Sequence, residues 1–168
     1  VPGFFEEELT MLDAFGRPIS KVGPVRAGYL CYQTRGKLVC LDPSSGQRLW
    51  QRYELPRQAV CIGDGQNIFL IQPSEDRVTV LRVVDGAEVS QFRLSDAANF
   101  RGKILQAAGG RVLVAQQSSD AAKHADLLRV SKIASVSLRK ETVDWAADVD
   151  PESTVFAIGS EWIGILEI

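Results

Sequence analysis

Apolar and polar residues come in short runs along almost the whole chain. Segments rich in Val, Ile, Leu, Phe and Tyr, most of them four to seven residues long, alternate with clusters of Gly, Asp, Ser and Pro. That is the pattern of β-strands joined by tight turns. It predicts strands at Leu9–Leu12, Tyr29–Gln33, Leu38–Leu41, Arg48–Tyr53, Ala59–Ile62, Ile68–Ile71, Val78–Val83 and Glu88–Leu94. Further strands are expected at Ile104–Ala107, Val112–Gln116, Ile133–Leu138, Thr142–Trp145, Val155–Ile158 and Ile163–Ile168. Helical periodicity is weak throughout. Ser118 to Lys132 reads as a long loop between strands, with a turn or two of helix from Asp120 as the alternative.

Short strands at even spacing call for a search for internal repeats. One is present. Its clearest copy runs from Lys37 through Asp42, Pro43-Ser-Ser and Gly46 to Trp50. A second runs from Val78 through Arg82 and Gly86 to Phe92, and an earlier one from Leu9 through Asp13 to Gly16. A degraded copy runs from Ile133 through Leu138 and Arg139 to Trp145. In the first three, an apolar strand enters a polar turn, Gly follows, and a second strand begins. Gly16 and Gly46 stand 30 residues apart, and Gly46 and Gly86 stand 40 apart. The Gly suits a tight hairpin, which usually needs one residue at positive φ. A period near 40 with four strands per unit marks a β-propeller blade. A β-sandwich would explain the short strands but not the recurring order of apolar strand, turn, Gly and Trp.

One hairpin can be registered from sequence alone. With Arg35-Gly36 as a two-residue turn, Thr34 faces Lys37, and stepping back places Cys31 opposite Cys40. The pair is either a cross-strand disulfide or two small buried side chains. Cys61 is the third cysteine. Three cysteines at these spacings match no zinc motif.

From Leu38 to Trp50 the chain resembles the PQQ-repeat, or quinoprotein-like, β-propeller family. The match is a strand ending in Leu41-Asp42, a short turn, Gly46, and Trp50 four residues on. The resemblance implies all-β blades of four antiparallel strands, with Asp42, Gly46, Trp50, Gly86 and Trp145 as structural repeat positions. In that family the Trp packs between neighbouring blades. Other copies depart from the pattern: Arg82 and Arg139 stand in the place of Asp42, and Ser90 in that of Trp50. Taken as one propeller or propeller segment over residues 1–168, the chain divides near 8–23 (half a blade), 24–54, 58–95, 103–147 and 154–168 (half a blade). This makes about three whole blades and two terminal half-blades. Exposed edge strands attract partners, so a protein or further blades should cover the terminal edges. The family resemblance also implies an extracytoplasmic or periplasmic location.

Composition narrows the function. The chain has 168 residues, 45% hydrophobic and 24% charged, an ordinary globular balance. Its 19 basic and 21 acidic residues give a net charge of −2. No basic face for nucleic acid is therefore expected. No apolar run is long enough for a transmembrane helix, and no signal-peptide pattern is visible. The chain starts at Val1 without Met and ends on Ile165-Leu166-Glu167-Ile168, which reads as a processed chain or a piece of a longer one.

Candidate chemistry is sparse. PQQ-dependent dehydrogenases of the resembled family bind quinone and calcium on the propeller axis, and many carry adjacent cysteines. This chain has no adjacent cysteine pair and no Ca²⁺-loop motif. Asp144, Asp148, Asp150 and Glu152 form an acidic run that reads as a solvated loop rather than a metal site. His124 lies in the long polar loop without a nucleophile elbow anywhere in the chain. Gly109-Gly110 reads as a hairpin turn rather than a phosphate loop. Trp50 and Trp145 are expected in the core, and Trp162, near an expected turn, is a weak interface candidate. No catalytic, cofactor or metal residue is expected. The reading is a non-enzymatic protein-binding or scaffolding module, with a segment of a PQQ-dependent oxidoreductase as the alternative.

Overall fold

A computed structural model describes residues 9–12, 14–16, 18–34, 36–55, 59–117, 130–150, 154–158 and 162–166. They fall into two compact units, residues 5–92 and residues from Arg93 onward.

The first unit holds two sheets. One is formed in order by β1 (Leu9–Leu12), β2 (Pro18–Arg26), β3 (Tyr29–Thr34), β4 (Lys37–Leu41) and β5 (Arg48–Arg52). The other is formed by β6 (Val60–Gly63), β7 (Asn67–Gln72), β8 (Arg77–Arg82) and β9 (Glu88–Arg93), whose last residue opens the second unit. The second unit begins with a short helix, α1 (Leu94–Ala98). Its four-stranded sheet runs β10 (Lys103–Ala108), β11 (Arg111–Gln117), β12 (Val130–Ser137) and β13 (Thr142–Asp148). A two-stranded sheet follows, β14 (Thr154–Ile158) with β15 (Trp162–Leu166). Each sheet is a meander in which chain order equals spatial order.

The strand expectations recur with ends shifted by a few residues. Four differences have physical causes. The expected break between residues 23 and 24 falls inside β2. Gly23-Pro24 looks like a strand breaker, yet the ladder absorbs it as a bulge: Val22 pairs with Tyr32, but Val25 pairs with Leu30. β2 pairs with both β1 and β3, so the N-terminal hairpin and the strands after it share one five-stranded sheet. Next, β13 runs on to Asp148 because Lys132, Ile133 and Ala134 of the long β12 offer it partners. β12 itself starts earlier than expected, at Val130, paired with Gln117. Finally, the strand expected to reach Leu94 stops at Arg93. Leu94, Ala97 and Ala98 are buried on a helical turn closed by Asn99 in the left-handed region. The possible helix from Asp120 and the loop bearing His124 lie outside the described residues.

Burial is graded across the sheets. β6 is buried at every position and β8 at four of its six, whereas β9, the last strand of that sheet, is largely exposed. The same step separates buried β12 from exposed β13. Inner strands covered on both faces beside a wetted outer strand are what a blade requires. Among the described residues no helix is long and apolar enough to cross a membrane.

Candidate functional site

Two of the predicted structural positions, Trp50 and Gly86, meet where the two sheets of the first unit pack together. The β4–β5 turn is closed by Asp42 N–H donating to Gln47 O at 2.9 Å and Gly46 N–H donating to Asp42 O at 2.8 Å. The β8–β9 turn repeats this: Arg82 N–H donates to Ala87 O and Gly86 N–H to Arg82 O, both at 2.8 Å. Gly46 and Gly86 have φ of 69° and 68°. Two copies of one backbone turn therefore arise from different side chains.

The carboxylate occupies a different place in each. Asp42 accepts from the Ser44 hydroxyl, the Ser44 N–H and the Ser45 hydroxyl at 2.7–2.8 Å. These donors hold its carboxyl down at about 2. In the second turn Arg82 stands at the Asp42 position, and Asp85 has moved to the place of Ser45. Arg82 donates to Asp85 at 3.0 and 2.7 Å, and Ala87 N–H donates to Asp85 at 3.0 Å. The Arg82 guanidinium bonded to it holds the Asp85 carboxyl below its ordinary value. In the degraded copy Glu141 takes the positive φ, at 57°, that Gly takes elsewhere. The Gly109-Gly110 pair turns β10 into β11 with φ of 57° and 76°, the two positive values of a two-residue hairpin.

Trp50 lies in β5 opposite Cys40 and is 8% exposed. Its indole N–H donates to Val83 O at 2.6 Å, across to the neighbouring sheet. A Cβ on Gly86 would come within 2.6 Å of the Trp50 ring, so this Gly is needed for close approach as well as for its φ. Arg52, two residues on, donates to Gly86 O at 2.9 Å and lies 3.7 Å from Glu88. Trp50 and Arg52 together grip the Arg82–Gly86 turn. At another point of the same joint, Tyr29 packs its hydroxyl where a Cβ on Gly63 would stand, and Arg26 donates to Gly63 O at 2.8 Å. Between these contacts Cys31, Cys40 and Cys61 are fully buried in one apolar cluster with Tyr29, Leu38, Trp50, Ile68, Leu81 and Val83. None of the three is joined in a disulfide.

Trp145 differs from its expected core placement: it is 45% exposed on β13. Asp144 is engaged by the Arg111 guanidinium at 2.9 Å. Asp148 ends β13, Asp150 follows it, and Glu152 lies outside the described residues. Among the described residues no three His, Cys, Asp or Glu side chains are placed to hold a metal ion. Trp162 is the first residue of β15, paired with Ile158; its side chain lies outside the described residues. Sequence reasoning missed the Tyr29–Gly63 contact, the Arg52 grip and the joining of Cys61 to the other thiols. Only the exchange of Arg82 and Asp85 left a signal, since two opposite charges change places with Asp42 and Ser45 in the aligned turns.

Four-stranded meanders, buried inside and wetted at the last strand, and a repeated outer turn define the chain as an array of β-propeller blades. No protein-family model matches the sequence, and no curated protein is significantly similar to it. Among solved structures it is similar to BamB from Moraxella catarrhalis, at 22% identity and a TM-score of 0.40, over 80% of this chain and 37% of that one. It is similar to apo AztD from Citrobacter koseri at 15% identity and a TM-score of 0.45, over 73% and 32%. The Cps50 (Swd1) β-propeller domain from Myceliophteria thermophila follows at 11% identity and a TM-score of 0.42, over 88% and 55%. The chain spans about a third of the length of the first two.

Proposed function

We propose that the chain is a PQQ-repeat-type blade array that works as a non-enzymatic protein-binding or scaffolding module. The observation that carries this reading is the outer strand β13. It ends its sheet, six of its seven residues are exposed, and it presents Trp145 at 45% exposure. An edge strand offers a row of backbone donors and acceptors, and an aromatic residue on it supplies an anchor. A protein strand or a further blade laid along β13 satisfies both.

The test is light scattering after size exclusion at rising concentration, beside a titration with PQQ and Ca²⁺ read by Trp fluorescence. Self-association that Trp145→Ala weakens, with no response to the quinone, supports the proposal. A persistent monomer whose fluorescence saturates with PQQ overturns it in favour of an oxidoreductase segment.

A further inference from the structure

The three cysteines stand apart from the binding reading. They come from three strands, β3, β4 and β6, and all are fully buried. Cys31 sits with both Cys40 and Cys61 in one buried cluster. Its two partners differ in how they are held. Cys40 faces Cys31 on the ladder, in a register that runs without a shift from Leu30↔Leu41 to Thr34↔Lys37. A two-residue hairpin closes on a hydrogen-bonded pair, here Thr34 and Lys37. Alternation then makes Gln33↔Leu38 and Cys31↔Cys40 the narrow, non-hydrogen-bonded pairs. Such pairs have Cα atoms about 4.5 Å apart, within the range a disulfide spans. Cys61 belongs to the other sheet, and no ladder fixes its approach.

We propose that Cys31 and Cys40 are a disulfide site: under oxidising conditions they form a cross-strand bond that closes the β3–β4 hairpin and leaves Cys61 as a thiol. The oxidant is a small-molecule disulfide such as oxidised glutathione. One cysteine, deprotonated, attacks it, forming a mixed disulfide and releasing one glutathione thiol. The second cysteine, deprotonated in turn, attacks the protein sulfur of that mixed disulfide and releases the second glutathione. One S–S bond breaks and one forms, and the two electrons lost by the protein thiols reduce the glutathione disulfide. Burial disfavours the thiolates in the folded chain, so the exchange belongs to folding or to opening of the hairpin.

The experiment refolds the reduced full chain in a reduced/oxidised glutathione buffer. Free thiols are then alkylated in denaturant, and the chain is weighed and peptide-mapped. The expected result is one alkylated thiol at Cys61 and a peptide joining Cys31 to Cys40. The oxidised chain should melt roughly 5 °C above the reduced one. Cys61→Ala should form the same bond in the same yield. Three alkylated thiols, or a bond through Cys61, would overturn the proposal. The wild-type map decides by itself if the variant does not fold.

Discussion

Trp50 and Trp145 occupy the same place in two copies of one repeat, yet one is buried and the other is not. In both sheets the register shifts once just before the Trp. Leu41 pairs with Arg48 but Cys40 with Trp50; Val136 pairs with Val143 but Ser135 with Trp145. The bulge that aims the side chain is therefore common to both strands. What differs is the cover. Trp50 has the β8–β9 turn over it, with Val83 O accepting its N–H and Gly86 leaving room for its ring, and it is 8% exposed. Trp145 is 45% exposed. A strand can place an aromatic ring, but only a neighbouring turn can bury it.

Substitutions can break this contrast. The largest effect is expected for Trp50→Ala, which empties a packed site and orphans Val83 O: a loss of about 3–5 kcal/mol in urea denaturation. Trp145→Ala should cost the isolated chain under about 1 kcal/mol in the same assay. Comparable losses would mean that Trp145 is covered in solution. Next comes Gly86→Ala, where an added Cβ meets both a positive φ and the Trp50 ring. It should cost about 2–4 kcal/mol. Gly46→Ala has the same φ, with nothing described within 4 Å of the new Cβ. It should cost only about 1–2 kcal/mol.

The turns supply smaller tests. Glu141→Gly removes a positive-φ side chain from the degraded copy and should raise the urea midpoint by up to about 1 kcal/mol equivalent. Asp42 provides a pH test. Its carboxyl is held at about 2 in the folded chain, below its ordinary 3.8. Its contribution is therefore complete above the unfolded value and fades as pH falls towards 2. An acid titration followed by circular dichroism should show a shallower loss between those values for Asp42→Asn than for the wild type. An unchanged slope would remove Asp42 from the acid response.

Local pairing was readable in advance. The two-residue turn after Thr34 places Cys31 opposite Cys40, as the ladder does. Gly109-Gly110 falls in its expected hairpin. These features depend on turn length and on which residues tolerate positive φ, both properties of a few neighbouring positions. The blade boundary expected between residues 23 and 24 fails because the sequence gives no information on whether a bulge will carry a strand past Pro24. The Arg82–Asp85 pair was visible only as a change of charge at two aligned positions.

What the sequence by itself determined was the all-β character, the repeat, the turns and the register within the β3–β4 hairpin. The tertiary structure alone decided which faces meet. Trp50 lies 33 residues from the carbonyl it bonds. Tyr29 and Gly63, like Cys31 and Cys61, come together across two sheets. Alternation along a strand divides residues between its two faces, but burial depends on distant chain packed against each face. Two tryptophans with one local pattern can therefore end in opposite environments.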